Sequence, residues 1–277
     1  MIVAILFGLL TPALSYATCA ALPWYMGRRH ALAPAVACWR SPLGLAEGLL
    51  LHLTPLVVGG LVAAAVAWAT SGSVEILLDP AADGVVHEAA ALIGTLAGGL
   101  GGLLAVVWAY RQRGAGWVAA GLRGLPLDSI VRPATVIAFL LIGSSMLYNI
   151  VFEAVLDRQP ASVADPMIEF VRGGDAAWIW LPLLVVAAVV MAPLVEEVIY
   201  RGVIYRAFRE RGGSGLAMLA SGLLFGLSHF QLDYLLPLWA IGVVLAWTYE
   251  RSGSLLPAIL THAIYNGCAL TIGLSGA

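Results

Sequence analysis

The chain has 277 residues, of which 61% are hydrophobic and 11% charged, with a formal net charge of -2. A soluble domain carries about 25% charged residues, so the surplus apolar surface must face lipid, and the chain reads as a polytopic membrane protein. All 14 basic residues are arginines without a basic run, which excludes Lys nucleophiles and argues against nucleic acid as a partner.

A membrane span needs about 20 apolar residues, so the chain has room for about eight helices and little else. Hydropathy and turn signals place them near 2–26, 45–70, 88–110, 133–155, 177–208, 215–231, 234–249 and 255–274. The fold class is therefore all-α, a transmembrane bundle. The first apolar run starts without a positive charge and is expected to be a retained helix rather than a cleaved signal. Cys19, Cys38 and Cys268 are too far apart for a C-x-x-C metal site and read as small core residues.

Arginines mark alternate connections. Arg28, Arg29 and Arg40 follow the first span, Arg111, Arg113, Arg123 and Arg132 the third, Arg206, Arg209 and Arg211 the fifth, and Arg251 the seventh. Acidic residues dominate after the second span and from Asp157 to Asp175, so the arginine-rich side is expected to be cytoplasmic and both termini external. In the third span Gly94, Gly98 and Gly102 recur every four residues, a pattern that admits a neighbouring backbone. The stretch from Gly116 to Pro126 is expected to lie along the inner interface.

Charge within a bilayer is costly, which makes polar residues inside spans functional candidates. Most are concentrated in the C-terminal half. The fifth span holds Glu196, Glu197 and Arg201, the sixth Phe225 and His229, and the eighth His262 and Asn266. At 1.5 Å of rise per residue, Glu196 and His229 come out about 20 Å from the arginine-rich end, and His262 and Asn266 about 10–17 Å. Overlapping depths point to one buried site.

Glu197 and Arg201 form an i, i+4 pair with the acid first, the favourable order. Glu196, turned about 100° away, is free to meet another helix. His262 and Asn266 also share a face. A carboxylate opposed by an imidazole and an amide can take a proton from water and hold the oxyanion that forms on a carbonyl, which suits peptide hydrolysis. Each group also has a structural reading: Glu197 with Arg201 as a paired charge, a histidine as a hydrogen-bonded core residue, Asn266 as helix glue. Glu47, His52, Asn149 and Glu153 lack a matching constellation and read as packing, interface or entry residues.

In order, Glu196-Glu197-x-x-x-Arg201, Phe225-x-x-x-His229 and His262-x-x-x-Asn266 resemble the CPBP family of intramembrane proteases, which includes the CAAX prenyl endopeptidases. The resemblance covers about 177–274. It implies 1–155 as accessory membrane helices, 156–176 as an external loop and 177–274 as the catalytic core. It further implies a glutamic endopeptidase in which Glu196 and His229 activate water, His262 and Asn266 stabilise the oxyanion, and Glu197, Arg201 and Phe225 support them. No cofactor is implied. The expected partners are membrane lipids and a peptide or protein substrate with a membrane-associated or lipid-modified tail. An all-Arg, Ala/Gly-rich composition suits a bacterium with a GC-rich genome, hence an inner-membrane location. Three other readings compete: Zn²⁺ held by Glu196, His229 and His262, a non-catalytic immunity or scaffold protein, and a transporter with a proton relay.

Overall fold

The computed structural model describes residues 41–77, 84–160, 165–173 and 177–275. The first expected span, with Cys19, Cys38, Arg28, Arg29 and Arg40, lies outside the described residues. Within them every long regular element is a helix. The helices are α1 (Leu45–Ser71), α2 (Gly84–Gln112), α3 (Leu127–Leu156) and α4 (Asp165–Gly173), then a long helical run from Ala177 to Leu227, then α7 (Leu235–Ser252) and α8 (Leu255–Ser275). The long run breaks at Gly213, whose φ of 77° is open to glycine without strain. We therefore divide it into α5 (177–212) and α6 (214–227), matching the expected fifth and sixth spans.

Among the described residues, five helical segments are long and apolar enough to cross a membrane: Leu45–Ser71, His87–Gln112, Leu127–Leu156, Ile179–Leu227 and Leu255–Ser275. Length and composition thus make this an integral membrane protein. The helix ends follow local chemistry. Gly72 and Gly253 close α1 and α7 in the left-handed conformation, each returning its N–H to the carbonyl four residues back. Rather than starting at Pro133, α3 begins after Pro126 with Asp128 in its first turn and runs through that proline.

Packing centres on α7 and the lower part of α5. Every residue from Ala240 to Tyr249 is buried, and so is every residue from Val195 to Tyr205 except Glu196. On the other side α1 packs against α2 through the small residues expected to allow it. A Cβ placed on Gly94 would lie 2.6 Å from the Gly59 carbonyl, closer than any side chain tolerates.

The arginine-rich connections gather at one end of the bundle. Arg113 pairs with Glu47, Arg209 binds Glu250 in bidentate fashion at 2.8 Å through both nitrogens, and Arg206 donates to the Tyr249 hydroxyl at 2.6 Å. Glu47 is thereby a structural anchor. The 116–126 stretch is a chain of turns rather than a helix, clamped there because Leu255 N–H donates to the Gly121 carbonyl and Ser254 Oγ to that of Arg123. At the opposite end, the expected external loop contains α4. Its Val171 is buried with Leu92, Leu184 and Leu270, so this amphipathic helix lies across α2, α5 and α8.

Candidate active site

Two wide stretches of helix shape α5. The chain forms a π-helical stretch at Val186–Met191, returns to α-helix at Ala192–Glu197, and widens again at Val198–Tyr205. Such bulges are rare and recur at functional sites. The first has a local cause and a visible effect. Ala192 N–H donates to Ala187, one residue further back than in an α-helix, and Pro193 has no N–H to offer Ala188. The Ala188 carbonyl is left to a side chain from another helix, and Asn266 Nδ2 donates to it at 2.8 Å.

Glu197 is fully buried and accepts from two partners on one oxygen, Arg201 Nη1 at 2.9 Å and His262 Nδ1 at 3.0 Å. The Glu197–Arg201 pair expected from the i, i+4 spacing is present, and Glu196 faces another helix as expected; what the spacing did not show is that both glutamates approach the same histidine. A carboxylate only accepts, so Nδ1 carries a proton, and the other nitrogen, Nε2, faces Glu196 Oε2 at 4.0 Å. Arg201 is further fixed by Nη2 donating to the Gly242 carbonyl at 3.0 Å. Breaking such a buried network by removing one partner leaves an uncompensated charge.

His229 is not on the sixth helix as expected. That helix ends at Leu227, where Ser228 Oγ donates to the Phe225 carbonyl at 2.7 Å and Phe230 turns the chain at φ 55°. His229 therefore stands in the turn. Its Nδ1 donates to the Phe225 carbonyl at 2.8 Å, which leaves Nε2 as an acceptor. The turn is tied to α3 by Tyr148, whose hydroxyl donates to the Asp233 carbonyl, and by Arg158, which binds the Asp233 carboxylate at 2.6 and 2.9 Å.

Phe225 joins the two sides. Its ring centroid lies 4.8 Å from His229, 5.7 Å from His262 and 5.3 Å from Tyr200, and the Arg201 guanidinium sits 4.6 Å above it. The structure thus gathers Glu196, Glu197, Arg201, Phe225, His229 and His262 around one point, with Asn266 one turn along α8. Glu153, by contrast, accepts from Gln159 away from the cluster. Among the described residues, no group of three His, Cys, Asp or Glu side chains is close enough to hold a metal ion.

The residue that sequence reasoning set aside is His52. Its Nδ1 is hydrogen-bonded to the Tyr200 hydroxyl at 3.1 Å, and it interacts electrostatically with Glu196 and His229. His52 and Tyr200 line a cleft of about 190 Å³ between α1, α5 and α6, with Leu49, Ile204, Leu224, Leu227 and Ser228.

Residues 178–268 match the model of the family described as type II CAAX prenyl endopeptidase Rce1-like. The match covers about a third of the chain. All seven positions of the three motifs fall inside it. Over 86 residues the chain is 31% identical to the "Putative membrane peptidase YdiL" of Bacillus subtilis, covering 31% of this chain and 35% of that protein. Over 90 residues it is 36% identical to an "Uncharacterized 24.3 kDa protein" of Escherichia coli, covering 31% of this chain and 40% of that one. The matches thus span well under half of each relative. No solved structure matches the chain.

Proposed function

We propose that the chain is an intramembrane endopeptidase of glutamic type, cutting a peptide bond near the C-terminus of a membrane-associated or lipid-modified protein or peptide. The observation that carries this reading is the pairing of His262 between two carboxylates. Glu197 holds Nδ1, so Nε2 is presented to Glu196 at 4.0 Å in a site walled by helices.

In this reading Glu196, helped by the Nε2 acceptor of His229, takes a proton from water while the water oxygen bonds to the scissile carbonyl carbon. Negative charge moves to the carbonyl oxygen. His262 faces it through Nε2, and Asn266 offers the amide hydrogen that Ala188 does not use. The carbon–nitrogen bond then breaks as Glu196 returns the proton to the leaving amine. The family-model match over 178–268 and the name of the Bacillus relative support a protease; the arginine-rich end supports placement in a bacterial inner membrane with that end cytoplasmic.

The test is reconstitution in liposomes with peptides carrying a membrane-anchored tail. Wild type should cleave them, and Glu196→Gln should lose at least ~10²-fold in kcat, the usual scale for a general base. Cleavage by Glu196→Gln at the wild-type rate would remove the proposed base. Activity that is lost in chelator and restored by Zn²⁺ would overturn the metal-free mechanism.

A further inference from the structure

His52 lies outside the matched core, on a helix that the motifs do not include, yet it reaches the site by a regular antiparallel register. A Cβ placed on Gly48 would meet Ile204 Cγ1 at 2.9 Å and Val203 Cγ1 at 3.0 Å, so α1 and α5 approach each other closely there. One turn further along α1 is His52, and one turn back along α5 is Tyr200. The same register therefore brings the imidazole to the phenol, 3.1 Å from Nδ1 to hydroxyl with the rings edge-on at 5.4 Å. Tyr200 is itself one turn from Glu196, faces Ser228 beside His229, and packs edge-on against Phe225, whose ring touches both site histidines.

We propose that His52 is a positioning residue for hydrolysis: through the hydrogen bond between its Nδ1 and the Tyr200 hydroxyl it fixes the Tyr200 ring, and through Phe225 the spacing of His229 and His262 across Glu196. The proposal rests on reading the site as a hydrolase. It gives the N-terminal helices a direct part in the chemistry rather than an accessory one. Displacing reacting groups by about 1 Å costs on the order of 10²-fold in rate, so this is the scale at stake.

The prediction separates hydrogen-bond partner from base. Asparagine places its amide, which can donate or accept, where His52 has Nδ1, so His52→Asn should keep kcat within a few-fold of wild type. His52→Leu should lower kcat toward the ~10²-fold limit with KM little changed. Tyr200→Phe should cost as much as His52→Leu, and the two together no more than either alone. Gly48→Val, which forces α1 away without touching either polar group, should reproduce His52→Leu. A dead His52→Asn would show that the imidazole itself reacts, and additive losses would show that the two residues act apart; either overturns the proposal. Thermal melting of the same variants in detergent micelles reads the His52–Tyr200 coupling without any substrate. Coupling in melting with no cleavage by wild type would sink the hydrolase reading alone. Loss of coupling in an active enzyme would sink this one alone.

Discussion

On the side of the site formed by α5 and α8, Glu197 and Arg201 are withdrawn from solvent and one carboxylate oxygen holds both the guanidinium and His262; on the other side, the turn that carries His229 after α6 is tied down by Arg158 and Asp233, whose side chains are 53% and 23% exposed. Buried charges lock their geometry because every alternative leaves an ion unpaired in a low-dielectric interior. A rim ion pair is screened and exchanges with water. The two imidazoles that flank Glu196 are therefore held with different stiffness. The α5–α8 side behaves as fixed scaffold and the turn as the adjustable element.

The contrast is broken most severely from the buried side. Arg201→Ala leaves Glu197 buried with half its partners and should destabilise the protein by about 3–5 kcal/mol, seen as a fall in melting temperature and folded yield. A variant melting like wild type would mean that the pair does not hold this side together. His229→Ala should do the opposite: melting within a degree or two of wild type, with kcat reduced ~10²-fold or more. Asn266→Ala orphans the Ala188 carbonyl and should cost about 1–3 kcal/mol. In a Pro193→Ala background the new N–H at position 193 can serve that carbonyl, so the same change should cost less, and equal losses would refute the account of the bulge. Arg158→Gln should give the smallest effect, a few-fold drop in kcat without loss of folded yield. High salt should produce the same drop in wild type and none in the variant.

Sequence reasoning located most span boundaries because hydropathy is a local property of a helix, and it paired Glu197 with Arg201 because i, i+4 spacing is another. The break at Gly213 was equally visible, lying between two apolar runs in a Gly-Gly-Ser-Gly stretch. What stayed hidden depends on partners far along the chain. His52 has no motif around it, and its role follows only from the contact of Gly48 with Ile204 and Val203. That Glu197 serves His262 as well as Arg201 could not be read from α5 alone, since the second bond comes from a residue 65 positions away. The early end of α6 also eluded a hydropathy reading, because Phe230 and Leu232 continue the apolar pattern while both are exposed on the turn. The helix α4 left a weaker mark, an Asp-Pro pair opening a nine-residue amphipathic segment.

Gly213 has a consequence for the division of labour along the chain. Glu196, Glu197 and Arg201 precede it, whereas His229, His262 and Asn266 follow it. A backbone cut at this residue would put the proposed acid and its anchor on one polypeptide and both imidazoles and the amide on the other. Neither piece would then carry a complete reaction centre. Two such fragments, made separately in one cell, would turn hydrolysis into a reporter of their reassociation within the bilayer.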